Sequence, residues 1–210
     1  MTRVLTIDQE HPREAILFDA VRILREGGVL AFPTETFYGL GVDAENEQAI
    51  EKIFHIKGRE FRNPIALIIG DEKPLNGLIA EFPPAGRRLA DRFWPGPLTM
   101  VMKASAKVSP RLTAGSGKIG IRVSSHPLAQ ALATSFGGAI TATSANLSGG
   151  PECLDAAQVL EQLGDRIDAI LDGGATPGGR GSTFMDITAV PPVLLREGAV
   201  PEALIRSYLE

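Results

Sequence analysis

Asn46 to Ile69 reads NEQAIEKIFHIKGREFRNPIALII, and this one stretch passes from a helical to a strand pattern through a cluster of cations. Asn46 suits an N-cap, because its side-chain oxygen can accept from an open N–H of the first turn. Ala49, Ile50, Ile53 and Phe54 follow at the spacing that forms one apolar helix face, so a helix ending at about Lys57 is expected. Ile65 to Ile69 is a continuous apolar run and reads as a buried strand. A helix followed by an apolar strand is one part of a mixed strand-and-helix pattern.

Working outward, Val4 to Ile7 reads as a short strand. Pro12 suits the first turn of a helix that carries Leu17, Val21 and Leu24 on one face, with Ile16, Ala20 and Ile23 beside it. Gly27-Gly28 ends that helix, and Val29 to Phe32 reads as a buried strand stopped by Pro33. Pro84 to Phe93 is expected as a helix, and Trp94-Pro95-Gly96-Pro97 as a turn before the strand Leu98 to Met102. Further strands are expected at Ile119 to Val123, Ala139 to Ala142, Ala169 to Leu171, Phe184 to Ile187 and Val193 to Leu195. Helices are expected at Leu128 to Phe136 and Asp155 to Leu163. The mixture indicates an α/β or mixed α+β sheet, its strand order not readable from sequence. No repeat, heptad run or linker composition divides the chain, so a single domain over residues 1–210 is expected.

The chain has 210 residues, 44% of them apolar and 22% charged, with a net charge of −4. That balance fits a globular core and argues against a general nucleic-acid coating, while leaving room for a local basic cleft. A single cysteine, Cys153, excludes an internal disulfide and a cysteine-rich zinc site, and reads as an incidental thiol. The N-terminal MTRVLTIDQEHPREA lacks the apolar core of a signal peptide, and no run approaches the ~20 apolar residues of a membrane span. A soluble cytoplasmic protein without membrane contact is expected.

Several segments carry chemistry, each with a plainer reading beside it. Lys57-Gly58-Arg59, followed by Arg62-Asn63-Pro64, is either a solvated basic helix end or a polyphosphate site built from a point charge and bidentate forks. Pro33 to Gly41, PTETFYGLG, is either a self-satisfied polar loop or a substrate loop at a strand end. Ala139 to Gly150, AITATSANLSGG, is either a turn that caps the next segment or a strand end whose small residues admit a ligand to the backbone. Arg122, between Ile121 and Val123, either lies on an exposed face or points into a cleft to pair with a carboxylate. The glycine-dense stretch Gly173 to Gly181 is a candidate mobile segment. Gly115-Ser116-Gly117-Lys118 lacks the spacing of a phosphate-binding P-loop, and His11, His55 and His126 are too scattered for a metal site or a triad.

Taken in order, PTETFYGLG, the KGR and NP pair, FWPGPLT, IGIRV with HP, TSANLSG, GGR with STFMDI, and LLREG resemble the YrdC-like threonylcarbamoyl-AMP synthases from about Gly28 to Gly198. The resemblance implies a twisted mixed sheet flanked by helices around a basic cavity. It implies synthesis of threonylcarbamoyl-adenylate and pyrophosphate from L-threonine, bicarbonate and ATP, for threonylcarbamoyladenosine modification of tRNA. It assigns Lys57 and Arg59 to catalysis. ATP contacts fall on Lys57, Arg59, Asn63, Ala142, Ser144, Asn146 and Arg196, and threonine contacts on Thr36, Arg122 and Ser182. Mg²⁺ would be held by phosphates and water, with no protein metal ligand. The partners implied are the downstream threonylcarbamoyl-transferase proteins, with direct tRNA contact left open.

Two positions depart from the family pattern: Ile68 stands where some relatives carry a histidine near threonine, and Lys118 where a small hydroxyl residue is common. Long-form relatives append a second domain, so the chain reads as a short form. The rival class is an RNA-binding module using the same cleft. The related carbamoyl-transfer domain of hydrogenase maturation factors is disfavoured by the single cysteine.

Overall fold

The computed structural model describes residues 1–9, 11–58 and 61–209. The chain begins with β1 (Arg3–Thr6), α1 (Glu14–Arg25), β2 (Leu30–Pro33), β3 (Tyr38–Gly41), α2 (Glu47–Lys57) and β4 (Ala66–Ile69). A short α3 (Leu75–Leu78) leads to α4 (Pro84–Phe93), β5 (Leu98–Lys103), β6 (Lys118–Val123), α5 (Pro127–Phe136) and β7 (Ala139–Ser144). It closes with α6 (Ala156–Leu163), β8 (Ala169–Asp172), β9 (Thr183–Asp186), β10 (Val193–Arg196) and α7 (Glu202–Arg206). The strands form one mixed sheet in the order β1-β8-β2-β3-β7-β4-β6-β5-β9-β10, flanked by helices.

Period-two alternation along the strands builds two cores, one on each face. Leu30 and Phe32 of β2, Ile68 of β4, and Ala169 and Leu171 of β8 pack with the apolar faces of α1 and α5. Their neighbours Ala31, Leu67, Ile69 and Ile170 join α2, α4 and α6 on the other side. The expected α2 is present: the Asn46 side chain accepts from Ala49 N at 3.0 Å, and Gly58 ends the helix at φ 59°. α4 spans the expected residues, and Asp155 caps α6 by accepting from Gln158 N at 2.8 Å.

The N-terminal third corrects the sequence reading in two places. α1 starts at Glu14, so Pro12 lies before the helix and outside its first turn. Pro33 ends β2 as expected, as its last residue and paired with Tyr38, but PTETFYGLG is not only a loop: it is a hairpin turn plus β3. Proline is tolerated there because the hairpin end does not need its N–H. Thr34 closes the turn, its Oγ1 donating to Phe37 O at 2.7 Å while its N–H reaches the same carbonyl at 3.2 Å.

Register then decides where a cavity can form. The pairs Gly39–Ser144, Ala66–Ala142, Ile68–Arg122 and Thr99–Phe184 put these residues on the face that α1 and α5 cover elsewhere. Glycine and alanine leave room there, and Arg122, Thr99 and Ser144 make the floor polar. A Cβ on Gly120, in the same row, would already stand 3.0 Å from Thr99 and 3.4 Å from Ala66.

Asn46→Ala is expected to lower stability by about 1 kcal/mol, with Asn46→Asp within a few tenths of wild type, because only the former leaves the α2 N-terminus without its acceptor. Urea unfolding midpoints at constant slope check this.

Candidate active site

One cavity opens over this floor and a second adjoins it at the end of β7. The first, of about 220 Å³, is lined by Thr36, Arg122, Ala142, Ser144, Ser182 and Arg196 among others. The second, of about 480 Å³, is lined by Lys57, Gly58, Asn63 and Asn146 among others. Thr143 and Ser144 border both, so the end of β7 is their common wall. The structure therefore brings together every expected site residue except Arg59, which lies outside the described residues. The expected threonine residues share the first cavity with Ala142 and Arg196, and the remaining expected nucleotide residues line the second.

Arg122 is buried, and its side chain is not an exposed-face arginine. Its Nη1 donates to Glu35 Oε1 at 2.6 Å, so the hairpin loop supplies the carboxylate that the strand arginine needs. The other oxygen of Glu35 accepts from the Ser124 hydroxyl. Burial pulls the Arg122 pKa down, Glu35 opposes that shift, and the nearby Arg196 charge adds to it. Arg196 donates to Ser182 O at 2.9 Å and lies 4.5 Å over the Phe184 ring. Ser182 Oγ bonds Thr99 Oγ1 at 3.0 Å. A Cβ on Gly198 would fall 2.1 Å from Gly181 O, so only glycine lets the segment after Arg196 pack this close to Ser182.

Lys57, at the end of α2, is almost fully buried. Its ammonium donates to Ser144 O at 2.6 Å, Asn146 O at 2.9 Å and Asn146 Oδ1 at 3.0 Å. The Asn146 amide in turn donates to Gly150 O at 2.7 Å, and Ser144 Oγ lies 2.6 Å from Asn146 Oδ1. The cation thus fixes the β7 loop while placing positive charge at the wall between the cavities. This clamp was hidden in the sequence, where a lysine next to glycine reads equally as a phosphate ligand.

Glu35, Ser124 and Thr99 are site residues that sequence reasoning did not assign. The available signal for Glu35 was its position as the lone carboxylate of PTETFYGLG. Ile68 is fully buried in the apolar layer beside Arg122. Lys118 sits at the far end of β6, bonded to Asp186 at 2.8 Å, and borders neither cavity. The Gly173–Gly181 stretch is tied down along its length: among other bonds, Tyr38 donates to Gly174 O at 2.7 Å, Thr176 N to Leu154 O at 2.8 Å, Gly178 N to Thr36 O at 2.8 Å and Ala199 N to Gly181 O at 2.8 Å. Cys153 is buried, and burial raises its thiol to about 11, which keeps it unreactive. Among the described residues no three His, Cys, Asp or Glu side chains gather into a metal site, and no helix is long and apolar enough to cross a membrane.

A family model described as "Telomere recombination", that of the Sua5/YciO/YrdC group, matches residues 22–198. The chain belongs to this family. It is 41% identical to the threonylcarbamoyl-AMP synthase of Pyrococcus abyssi over 201 residues, which cover 96% of this chain and 59% of that relative. It is 39% identical to the enzyme of the same name from Photobacterium profundum, covering 87% of this chain and 98% of the relative. The solved structure of P. abyssi Sua5 complexed with L-threonine superposes with a TM-score of 0.95 at 40% identity, covering 99% of this chain and 61% of that one. The chain thus spans about three fifths of the length of its P. abyssi relative.

His126 offers a test of the site's packing. It is buried at the start of α5, where its Nδ1 accepts from Leu128 N at 3.3 Å and its N–H donates to Ser124 Oγ at 3.2 Å. Burial lowers its pKa from 6.5, opposed by Glu35. Its contribution to stability is complete above about pH 6.5 and is lost as pH falls towards the lower folded value, because the unfolded chain takes up the proton first. The slope from this one group is at most about 1.4 kcal/mol per pH unit. His126→Asn, which retains a capping side chain, is expected to flatten stability between about pH 7.5 and 5.5; unfolding curves across that range check it.

Proposed function

We propose that this chain is a threonylcarbamoyl-AMP synthase, a nucleotidyltransferase that joins L-threonine, bicarbonate and ATP into threonylcarbamoyl-adenylate with release of pyrophosphate. The observation that carries the reading is the pairing of cavities. One holds a buried arginine with N–H groups open to it; the other is walled by the Lys57-clamped loop; they meet at Thr143 and Ser144. An amino acid and a polyphosphate placed in these neighbours would meet end to end. The names of the relatives, and the threonine in the P. abyssi Sua5 complex, support the same assignment.

In this reading Thr36, Arg122 and Ser182 receive threonine, Arg122 taking its carboxylate. Condensation of the threonine amine with bicarbonate gives the carbamate and water. A carbamate oxygen then forms a bond to the α-phosphorus, and the bond from that phosphorus to the bridging oxygen breaks, so pyrophosphate leaves with its electron pair. Such a displacement asks for alignment and charge stabilisation more than proton transfer. Asn63, the Ala142 backbone, Ser144, Asn146 and Arg196 align the nucleotide, while Lys57 and Arg59 offset the charge of the transferring group. Glu35 is committed to Arg122 and Ser124, so Mg²⁺ enters with ATP as part of the substrate, held by phosphate oxygens and water. The product passes to a cytoplasmic transferase that moves the threonylcarbamoyl group onto a tRNA adenosine.

Incubation with ATP, L-threonine and labelled bicarbonate is expected to give the mixed anhydride, with pyrophosphate released only when all three are present. Lys57→Ala and Arg59→Ala should each lower turnover at least roughly tenfold, as loss of a charge-stabilising donor does. Threonine-independent ATP turnover, or steeply salt-dependent RNA binding without turnover, overturns the reading.

A further inference from the structure

We infer that Ser124 is a positioning residue for the amino-acid substrate: its hydroxyl holds Glu35 in a one-point pair with Arg122 and so keeps the second edge of the guanidinium open. The inference rests on the proposed binding of the threonine carboxylate by Arg122 and adds a residue that acts through that contact without touching the ligand.

Arginine and a carboxylate prefer to meet fork to fork, through two parallel N–H···O bonds. Here they do not. Only Nη1 of Arg122 reaches Glu35, through Oε1 at 2.6 Å. Among the described residues its Nε and Nη2 make no hydrogen bond to protein. No buried side-chain nitrogen or oxygen among those residues lacks a partner, so these two groups open onto the cavity that Arg122 lines. The reason for the one-point geometry is the other carboxylate oxygen, Oε2, which is taken by the Ser124 hydroxyl. The direction of that bond is fixed. The His126 backbone N–H donates to Ser124 Oγ at 3.2 Å, so the single hydroxyl proton is left for Glu35. Ser124 is fully buried, so bulk solvent does not compete for that proton.

Removing the hydroxyl takes from Oε2 its protein donor, in a carboxylate that is largely enclosed, its side chain 12% exposed. The nearest remedy is rotation of Glu35 into a two-point pair with Arg122. That pair occupies the edge a substrate carboxylate needs, so the protein's own glutamate becomes the competitor.

Calorimetric titration of the full chain with L-threonine, and separately with ATP, tests this in wild type, Ser124→Ala, Glu35→Gln and the double variant. Ser124→Ala is expected to weaken threonine binding roughly tenfold and ATP binding by less than about twofold, the size of one blocked charge-assisted contact. In the Glu35→Gln background the same change should move threonine affinity by less than about twofold, since a neutral amide does not form the ionic fork. Ser124→Cys, a weaker donor of similar size, should fall between and covers the case in which the alanine variant does not fold. Unchanged threonine affinity in Ser124→Ala, or equal weakening in both backgrounds, overturns the inference and makes Ser124 merely structural. Absence of threonine binding by wild type overturns the underlying reading, and the inference with it.

Discussion

A guanidinium buried within a strand sets the terms for everything around it. Arg122 stands between Ile121 and Val123 in the interior of the sheet, where an uncompensated charge would be prohibitive. The compensating carboxylate comes from the turn of the β2–β3 hairpin, which the sheet order separates from β6 by β7 and β4. The ion pair thus links parts of the sheet that no backbone ladder joins. It requires the hairpin turn to stay folded over a floor of small residues, which explains why Thr34 spends its hydroxyl on Phe37 O and why Gly178 N is tied to Thr36 O. The cavity exists because these constraints hold the turn above Ala66 and Ala142 and do not let it collapse onto them.

The charges of the site are held by different devices, and the device decides what each can still do. Arg122 is balanced by a full carboxylate, so the pair is close to neutral and suits a ligand that carries both charges. Arg196 is held by a carbonyl and an aromatic face, neither of which cancels its charge, and its field is felt at Arg122. A net acidic chain can therefore present a locally positive site without a basic surface. Both arginines line the first cavity, so the uncancelled charge of Arg196 lies beside the ion pair and is not set apart from it.

Much of the fold was legible because the local signals were unmixed. Asn46, the stripe Ala49 to Phe54 and the run Ile65 to Ile69 each point to one element, and α2 and β4 follow them closely. β3 was not legible. In Tyr38-Gly39-Leu40-Gly41 one face is glycine, so the alternation that marks a strand is present only in volume and not in polarity. That same glycine face is what leaves room for the cavity, so the signal was lost for a functional reason. Strand order lay beyond the sequence because it depends on contacts between distant elements. The pairing of Arg122 with Glu35 shared that difficulty: the sequence offered an arginine wanting a carboxylate and a carboxylate in a loop, 87 positions apart, with nothing local to join them.

Lys57 marks the finer limit of such reading. A lysine ammonium is a compact charge with three donors, and phosphate oxygens and peptide carbonyls are both good acceptors for it. The sequence therefore defines the donor but not the acceptor. In the structure the Ser144 and Asn146 carbonyls and the Asn146 amide oxygen accept from it, which binds the end of α2 to the loop after β7. The loop is consequently shaped before any ligand arrives, and the hydroxyl of Ser144 and the amide of Asn146 are bonded to each other in the same network. Ordering a wall in advance removes part of the entropy that binding would otherwise cost. The cation can thus serve an anionic ligand twice, by its charge and by the rigidity it gives the backbone that the ligand would meet.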